Sequence, residues 1–269
     1  MHNAAFARHG LDYAYVPLRV RPADLKAAVE GLRAGNFRGA NVTLPHKQTV
    51  VPFLDGVSEA SRMMGVVNTI VNDDGRLTGT TTDPAGFLEG YREAGHTFTG
   101  KTVAVIGNGG SARTIAFALA LEEKPARVIL VGRDAEKSRK LIAEIGSKAG
   151  SAAGKSMEAV TLADYDSIRL DAEVVVNATP IGMDPDLETS PLRRGDLADG
   201  QIIYDIVYVP EKTRLIRDAE ANGLKTVGGL GMLVHQGRAS FKLWTGVEPD
   251  ASLFYGAARA QLASRAARK

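Results

Sequence analysis

Between Val103 and Ile106 four apolar residues follow one another without polar alternation, and the run stops at Gly107, Gly109 and Gly110. Such a run predicts a parallel strand buried on both faces. Ser111 to Leu121, rich in alanine and leucine, predicts the amphipathic helix that follows. The same texture returns at Arg127–Val131, Glu173–Asn177, Gln201–Val207 and Lys225–Val227. From about Thr102 the pattern therefore predicts alternating strands and helices with right-handed crossovers and a parallel sheet. The small-residue stretch Gly146–Lys155 predicts a flexible surface segment.

The first third reads differently. A helix closes at Gly10, Tyr13–Val20 predicts a strand, and Pro22 with Asp24 opens a helix through about Arg33 that Gly35 ends. Phe37–Val42 predicts the next short strand; Pro45 breaks it, and a helix is expected to open at Lys47. Met64–Val71 and Arg76–Gly79 pair as a hairpin turning at Asp74-Gly75. Asp83 before Pro84 has the form of a helix N-cap. Two last helices, Met232–Trp244 and Pro249–Ala266, close the chain; the second carries Leu253, Ala257, Ala260 and Ala263 along one stripe and ends in a basic tail.

Composition narrows the class without naming a partner. The chain has 269 residues, 44% hydrophobic and 24% charged, with a net charge of +2, an ordinary globular balance with room for two modest domains. No basic run interleaved with aromatics argues for nucleic acid, and no apolar run approaches the ~20 residues that span a bilayer. The start reads as neither signal nor transit peptide, so the cytoplasm is the default. With no cysteine, disulfides, thiol nucleophiles and thiolate-bound metals are excluded. His2, His9 and His96 fall in surface-like contexts, and His46 and His235 nearer the motifs. No pair has metal-ligand spacing, so no metal is expected.

Strand, glycine turn and helix at 103–121 is how α/β proteins seat a dinucleotide pyrophosphate, although such turns also occur without a ligand. The second strand ends at Gly132-Arg133-Asp134. An arginine there suits a 2′-phosphate and a carboxylate suits a ribose diol; Arg133 could equally be a solvated loop residue. One charge-assisted bond, about 1.5–3 kcal/mol, gives a preference for NADP without excluding NAD. Asn177, Thr179, Asp205 and Tyr208 belong near the cofactor because ligands sit beyond the carboxyl ends of parallel strands. Further back, Asn41 and Thr43 alternate onto one face. Lys47 in a first helical turn would oppose the helix dipole, which favours a functional lysine over a decorative one. A buried Asn68 must bond to backbone or to a ligand, while capping alone could explain Asp83.

The stretches Asn41-Val-Thr-Leu-Pro-His-Lys47, Gly65-Val-Val-Asn68-Thr69, Thr82-Asp83 with Gly86-Phe87, Gly107-Asn-Gly-Gly-Ser-Ala-Arg113, Asn177-Ala-Thr-Pro-Ile-Gly-Met183, Asp205-Ile-Val-Tyr208-Val-Pro210 and Gly231-Met-Leu-Val-His-Gln236 together resemble the shikimate dehydrogenase family in order and spacing. The resemblance covers nearly the whole chain. It implies an α/β fold of two domains. A substrate domain with a mixed sheet, residues 1–83 plus 235–269, would be completed by the C-terminal helices. A Rossmann-like NADP domain would span 84–234. The implied reaction is reversible reduction of 3-dehydroshikimate to shikimate by NADPH, with a small-molecule substrate and a monomer or homodimer.

Lys47 and Asp83 match the family's catalytic pair. Asn41, Thr43, Asn68 and Gln236 match positions that bond the ring hydroxyls, and Tyr208 lies in a motif lining the substrate site. The cofactor set comprises Gly107, Asn108, Gly109, Gly110, Ser111 and Ala112 in the glycine turn. It continues with Arg133, Asp134 and Lys137 after the second strand. Asn177, Ala178, Thr179, Ile206, Gly229 and Met232 complete it.

Two departures stand out. In that family a glycine-containing strand and two carboxylate-binding serines precede the helix found here at Met1; the expectation is that residues precede the given start, the alternative being a changed substrate. The family also more often has asparagine before the arginine at 133 and a hydroxyl residue after it. A quinate or aminoshikimate paralogue using NAD through Asp134 is the close alternative, and an inactive cofactor-binding homologue the distant one. Folate-linked methylene dehydrogenases share the architecture but would not account for Asn41, Asn68 and Gln236.

Overall fold

A computed structural model describes residues 1–266; the basic tail beyond lies outside them. The chain divides into two compact units, Met1–Gly86 with Val234 onward, and Phe87–Leu233.

In the first unit α1 (His2–Arg8) ends before Gly10, which takes φ +64°. The expected strand at Tyr13–Val20 does not form. The segment has strand propensity, but nothing among the described residues pairs with it as a ladder, and pairing is what makes a strand. Its backbone is held instead at Tyr15, whose N–H donates to Asn3 Oδ1 at 2.6 Å and whose carbonyl accepts from Asn3 Nδ2 at 2.9 Å. Tyr13, Val16 and Leu18 stay exposed.

A 3-10 turn at Pro22–Asp24 leads into α2 (Leu25–Ala34), which buries Leu25, Val29 and Leu32, spaced by one and two helical turns. β1 (Gly39–Asn41) is shorter than expected. No helix opens at Lys47: turns join His46 N–H to Thr43 and Val50 N–H to His46, and a 3-10 turn at Val51–Phe53 follows. Pro52 lacks a donor, and the β-branched Thr49, Val50 and Val51 resist helix.

β2 (Gly56–Val57) precedes α3 (Glu59–Met64), which Ser58 caps and Gly65 closes at φ +66°. The hairpin of β3 (Thr69–Asp73) and β4 (Arg76–Thr80) turns with Asp74 at φ +48° and Gly75 at +87°, the two positive angles of a type I′ turn. The sheet order is β1-β3-β4-β2, antiparallel except for β2 with β4.

The division between units falls inside α4 (Asp83–Glu93) and again inside a long helix, Leu230–Thr245. The second unit adds β5 (Thr102–Ile106), α5 (Gly110–Glu122), β6 (Arg127–Gly132), α6 (Ala135–Lys148) and α7 (Ser151–Lys155). It continues through β7 (Met157–Thr161), β8 (Val174–Asn177), β9 (Ile202–Asp205), α8 (Arg214–Ala221) and β10 (Lys225–Gly228). Its six strands are all parallel in the order β10-β9-β8-β5-β6-β7.

β5 comes first in sequence but lies mid-sheet, so the order reverses between β5 and β8, where such sheets bind ligands. Two corrections belong to this unit. The stretch 146–155 is mostly helical, and its glycines serve contact: a methyl group on Gly154 would lie 3.0 Å from Gly146 Cα. The edge strand β7 also went unpredicted; its polar Glu158, 2.5 Å from Arg127, breaks the apolar run.

The long helix, α9 (Leu230–Thr245), and α10 (Ala251–Ala266) finish the chain. α10 buries Phe254 and Ala258, one residue round from the predicted stripe, because Phe254 packs edge-on against Phe241 at 6.0 Å. A methyl group on Gly39 would run into the Trp244 indole and the Ile70 carbonyl, so β1 is glycine where α9 comes closest. Trp244 Nε1 donates to that carbonyl at 2.9 Å. His2 is not at the surface. It is buried among Tyr15, Phe241, Trp244 and Phe254, and burial pushes its imidazole down to about 4.

Candidate functional site

In the first unit the polar side chains of β1, β3, the start of α4 and α9 converge. Lys47 Nζ donates to Asp83 Oδ2 at 2.6 Å, the lysine side chain 28% exposed and the aspartate 10%. Lys47 reaches this position from a turn whose carbonyl accepts Val67 N–H at 2.8 Å. The Asp83 carboxylate does not cap α4; Oδ2 faces Lys47 and Oδ1 accepts from Asn68 Nδ2 at 2.8 Å.

Asn68, buried on the approach to β3, bonds through its amide nitrogen to side chains rather than to a backbone carbonyl. Nδ2 serves Asp83, Thr82 Oγ1 at 3.0 Å and Gln236 Oε1 at 3.5 Å. Its Oδ1 accepts from Thr69 Oγ1 and Thr82 N–H, both at 2.8 Å. An ammonium has three donors, and one goes to Asp83. The pair thus holds a proton source beside a fixed carboxylate, partly open to solvent.

Asn41 is partly buried, and both ends of its amide are hydrogen-bonded. Its Nδ2 donates to Ser240 Oγ at 3.0 Å and Thr69 Oγ1 at 3.2 Å, and its Oδ1 accepts from Tyr15 hydroxyl at 3.0 Å. Thr43 is exposed two residues on. Ser240 went unnoticed in the sequence. Fully buried on α9, it touches Thr69 Oγ1 at 2.8 Å and Thr82 Oγ1 at 3.3 Å and donates to Gln236 carbonyl at 3.1 Å. The available signal was its spacing, one helical turn past Gln236 on the same helix.

In the second unit Gly107 leaves β5 at φ +122°, a conformation that favours glycine. A methyl group there would stand 3.1 Å from the Ala178 carbonyl and from Thr179 Cγ2, so the turns after β5 and β8 are in contact. Gly109 caps α5 with no side-chain bond to the first amides. At Gly109 and Gly110 a methyl group would meet nothing within 4 Å. Free amides under open space fit a pyrophosphate. Ser111 and Ala112 follow in the first turn of α5. Asn108 Nδ2 donates to the Asp134 carbonyl at 3.0 Å, Asp134 Oδ1 caps α6 by accepting Glu136 and Lys137 N–H at 2.9 and 3.2 Å, and Arg133 and Lys137 are exposed.

Asn177 is fully buried and supports its turn: Nδ2 donates to Asp205 Oδ1 at 2.9 Å, and Oδ1 accepts from Thr179 N–H and hydroxyl at 3.0 and 2.7 Å. Asp205 also accepts from Val207 N–H at 3.0 Å and Thr213 hydroxyl at 2.6 Å. Burial outweighs these bonds and raises its carboxyl to about 6. Gly229 admits the Ile206 carbonyl where any side chain would collide; Met232 is half-buried and Tyr208 exposed. Among the described residues no three His, Asp or Glu side chains converge as metal ligands.

A family model described as the shikimate dehydrogenase substrate binding domain matches residues 1–70, and the shikimate 5′-dehydrogenase C-terminal domain matches 229–259. The shikimate dehydrogenase (NADP(+)) of Geobacillus kaustophilus is 43% identical over 252 residues, covering 93% of this chain and 88% of that protein. The chain belongs to the shikimate dehydrogenase family. Two family members of known structure agree. One, crystallised with NADP+, superposes with a TM-score of 0.91 at 35% identity, covering 97% of this chain and 89% of that one. The other, from Thermus thermophilus in complex with NADP(H) and shikimate, gives 0.85 at 36% identity, covering 96% and 92%.

Proposed function

We propose that this chain reversibly reduces 3-dehydroshikimate to shikimate with NADPH. The first unit would hold the substrate and the second the cofactor, with the functional boundaries at 1–83 plus 235–269 and 84–234. What carries the reading is the Lys47–Asp83 pair at 2.6 Å with Asn68 fixing the second carboxylate oxygen. The same residue types occupy family motifs throughout the chain.

The chemistry follows from those groups. NADPH supplies the hydride. A ketone that receives it becomes an alkoxide and needs a proton within hydrogen-bond reach. The Lys47 ammonium supplies that proton and stabilises the growing negative charge, while Asp83 fixes the lysine and accepts from a neighbouring hydroxyl. Asn68, Gln236 and Thr43 offer donors and acceptors to a polyol. Asn41 acts one layer back, through Thr69 and Ser240. Tyr208, exposed after β9, belongs to the substrate-binding set on this reading. Gly107 and Gly109 to Ala112 would take the pyrophosphate, Arg133 with Lys137 would take the 2′-phosphate, and Asn108 belongs to the cofactor set through its bond to the Asp134 carbonyl. Asn177 to Thr179, Ile206, Gly229 and Met232 support the nicotinamide end. The partners are small molecules, the reaction is cytoplasmic, and no helix among the described residues is long and apolar enough to cross a membrane.

Initial rates of oxidation of shikimate and of quinate, each with NADP and with NAD, test the proposal. Saturable activity greatest with shikimate and NADP is the expected result. Preference for quinate would change the substrate, and silence in all combinations would overturn the assignment.

A further inference from the structure

Resting on the reading that the second unit binds the dinucleotide, we propose that Asn108 sets the choice between NADP and NAD by fixing both neighbours of Arg133. Arg133 stands between Gly132, the last residue of β6, and Asp134, the cap of α6. Gly132 is buried and does not take a positive φ, so glycine is not needed there for conformation. It is needed for space. A methyl group on it would lie 2.6 Å from Asn108 Nδ2 and 3.1 Å from Asn108 Cγ; the Asn108 amide fills the place of a side chain. On the far side of Arg133 the same Nδ2 donates to the Asp134 carbonyl at 3.0 Å. One amide thereby packs into the side-chain space of the residue before the arginine and bonds to the backbone of the residue after it.

The charges of the turn agree. Arg133 is exposed and has no ion pair among the described residues, so its guanidinium is available to a phosphate. Asp134 has the opposite charge and would suit the diol of NAD, but its Oδ1 is taken up by the Glu136 and Lys137 amides. Capping keeps that oxygen out of a bidentate grip on a ribose. Asn108 thus presents the cation, while the helix start restrains the carboxylate.

The two cofactors share a pyrophosphate and differ at the 2′ position, which separates this role from mere support of the glycine turn. A residue acting through the pyrophosphate affects both cofactors alike; one acting through Arg133 affects NADP alone. Calorimetric titration of NADP and NAD into the full chain is the test, with Asn108→Ala, Arg133→Ala and the double variant. Asn108→Ala should weaken NADP about tenfold and NAD less than about twofold. In the double variant the two losses should fall short of additive, since both act through one contact.

A second arm relocates the amide. Gly132→Asn alone should weaken NADP, because its Cβ enters the Asn108 amide. Combined with Asn108→Ala it should recover, since an asparagine there can accept the Asp134 N–H in an Asx turn. Equal loss of both cofactors in Asn108→Ala, or full additivity with Arg133→Ala, would overturn the inference alone. A parent chain that binds neither cofactor would overturn the reading beneath it as well.

Discussion

Asn68 Nδ2 and Asp83 Oδ1 lie 2.8 Å apart, so the carboxylate is gripped at the oxygen that Lys47 does not use. Removing that grip with Asn68→Ala frees the carboxylate to rotate. The loss of a bond to a charged group, about 1.5–3 kcal/mol, should lower kcat/KM for shikimate about ten- to a hundredfold. Steady-state rates check this, and a variant as fast as the parent would detach Asn68 from the reaction.

Lys47→Ala should depress kcat about a hundred- to ten-thousandfold. The affinity for NADP should stay unchanged, because Lys47 belongs to the first unit and the glycine turn to the second. Single-turnover rates beside calorimetric NADP titration separate the two effects. Parallel loss of cofactor affinity would contradict the proton-donor role.

Ser240→Ala leaves the Asn41 amide and the Thr69 and Thr82 hydroxyls short of a buried partner. The cost should be about 1–3 kcal/mol, read as a lower urea midpoint with unchanged slope. Ser240→Thr keeps the hydroxyl and should lose less, unless its extra methyl group is too large for the site.

Asp205 makes stability depend on acidity. Its carboxyl ionises near 3.8 when unfolded and is raised by burial to about 6 in the fold. Below about pH 4 it is protonated in both states and its contribution is complete. As the pH rises toward 6 the unfolded chain ionises first, and stability is lost. The difference amounts to about 3 kcal/mol. Buried His2, held down at about 4, acts in the opposite direction over the same range. The measurement is therefore the difference in urea stability between parent and Asp205→Asn from pH 4 to 7. It should fall with rising pH and level off above 6.

Gly39→Ala forces a methyl group against the Trp244 indole and the Ile70 carbonyl. Overpacking at such a contact costs about 1–3 kcal/mol, measurable as a lowered melting temperature. A neutral outcome would mean that α9 yields at this point.

The second unit was largely legible because its strands are buried on both faces. Val103–Ile106 and Val174–Val176 can be read from adjacent residues alone. Tyr13–Val20 could not be read that way: its propensity is local, but a strand needs a partner that propensity does not supply. Lys47 was singled out by a helix that does not exist; what brings it to Asp83 is the turn from Thr43 to Val50 and the bond from Val67. Asp83 looked like a cap because Asp-Pro begins helices, and only the placement of Asn68 and Lys47 shows where its oxygens point. Ser240 lies far along the chain from the threonines it joins, and no local pattern connects them.

Trp244 is the only tryptophan in the chain, and it sits buried in the first unit with its indole bonded to β3. Its emission is therefore a natural optical label for that unit alone, with no engineered probe. The second unit contains tyrosines but no tryptophan, among them Tyr91 and Tyr204 stacked with Phe87 and Phe98. Denaturation followed by selectively excited tryptophan emission and by circular dichroism consequently compares one unit with the whole. Superimposed curves would mark a single cooperative transition, and separated curves would assign the earlier or later step to the unit that carries the indole.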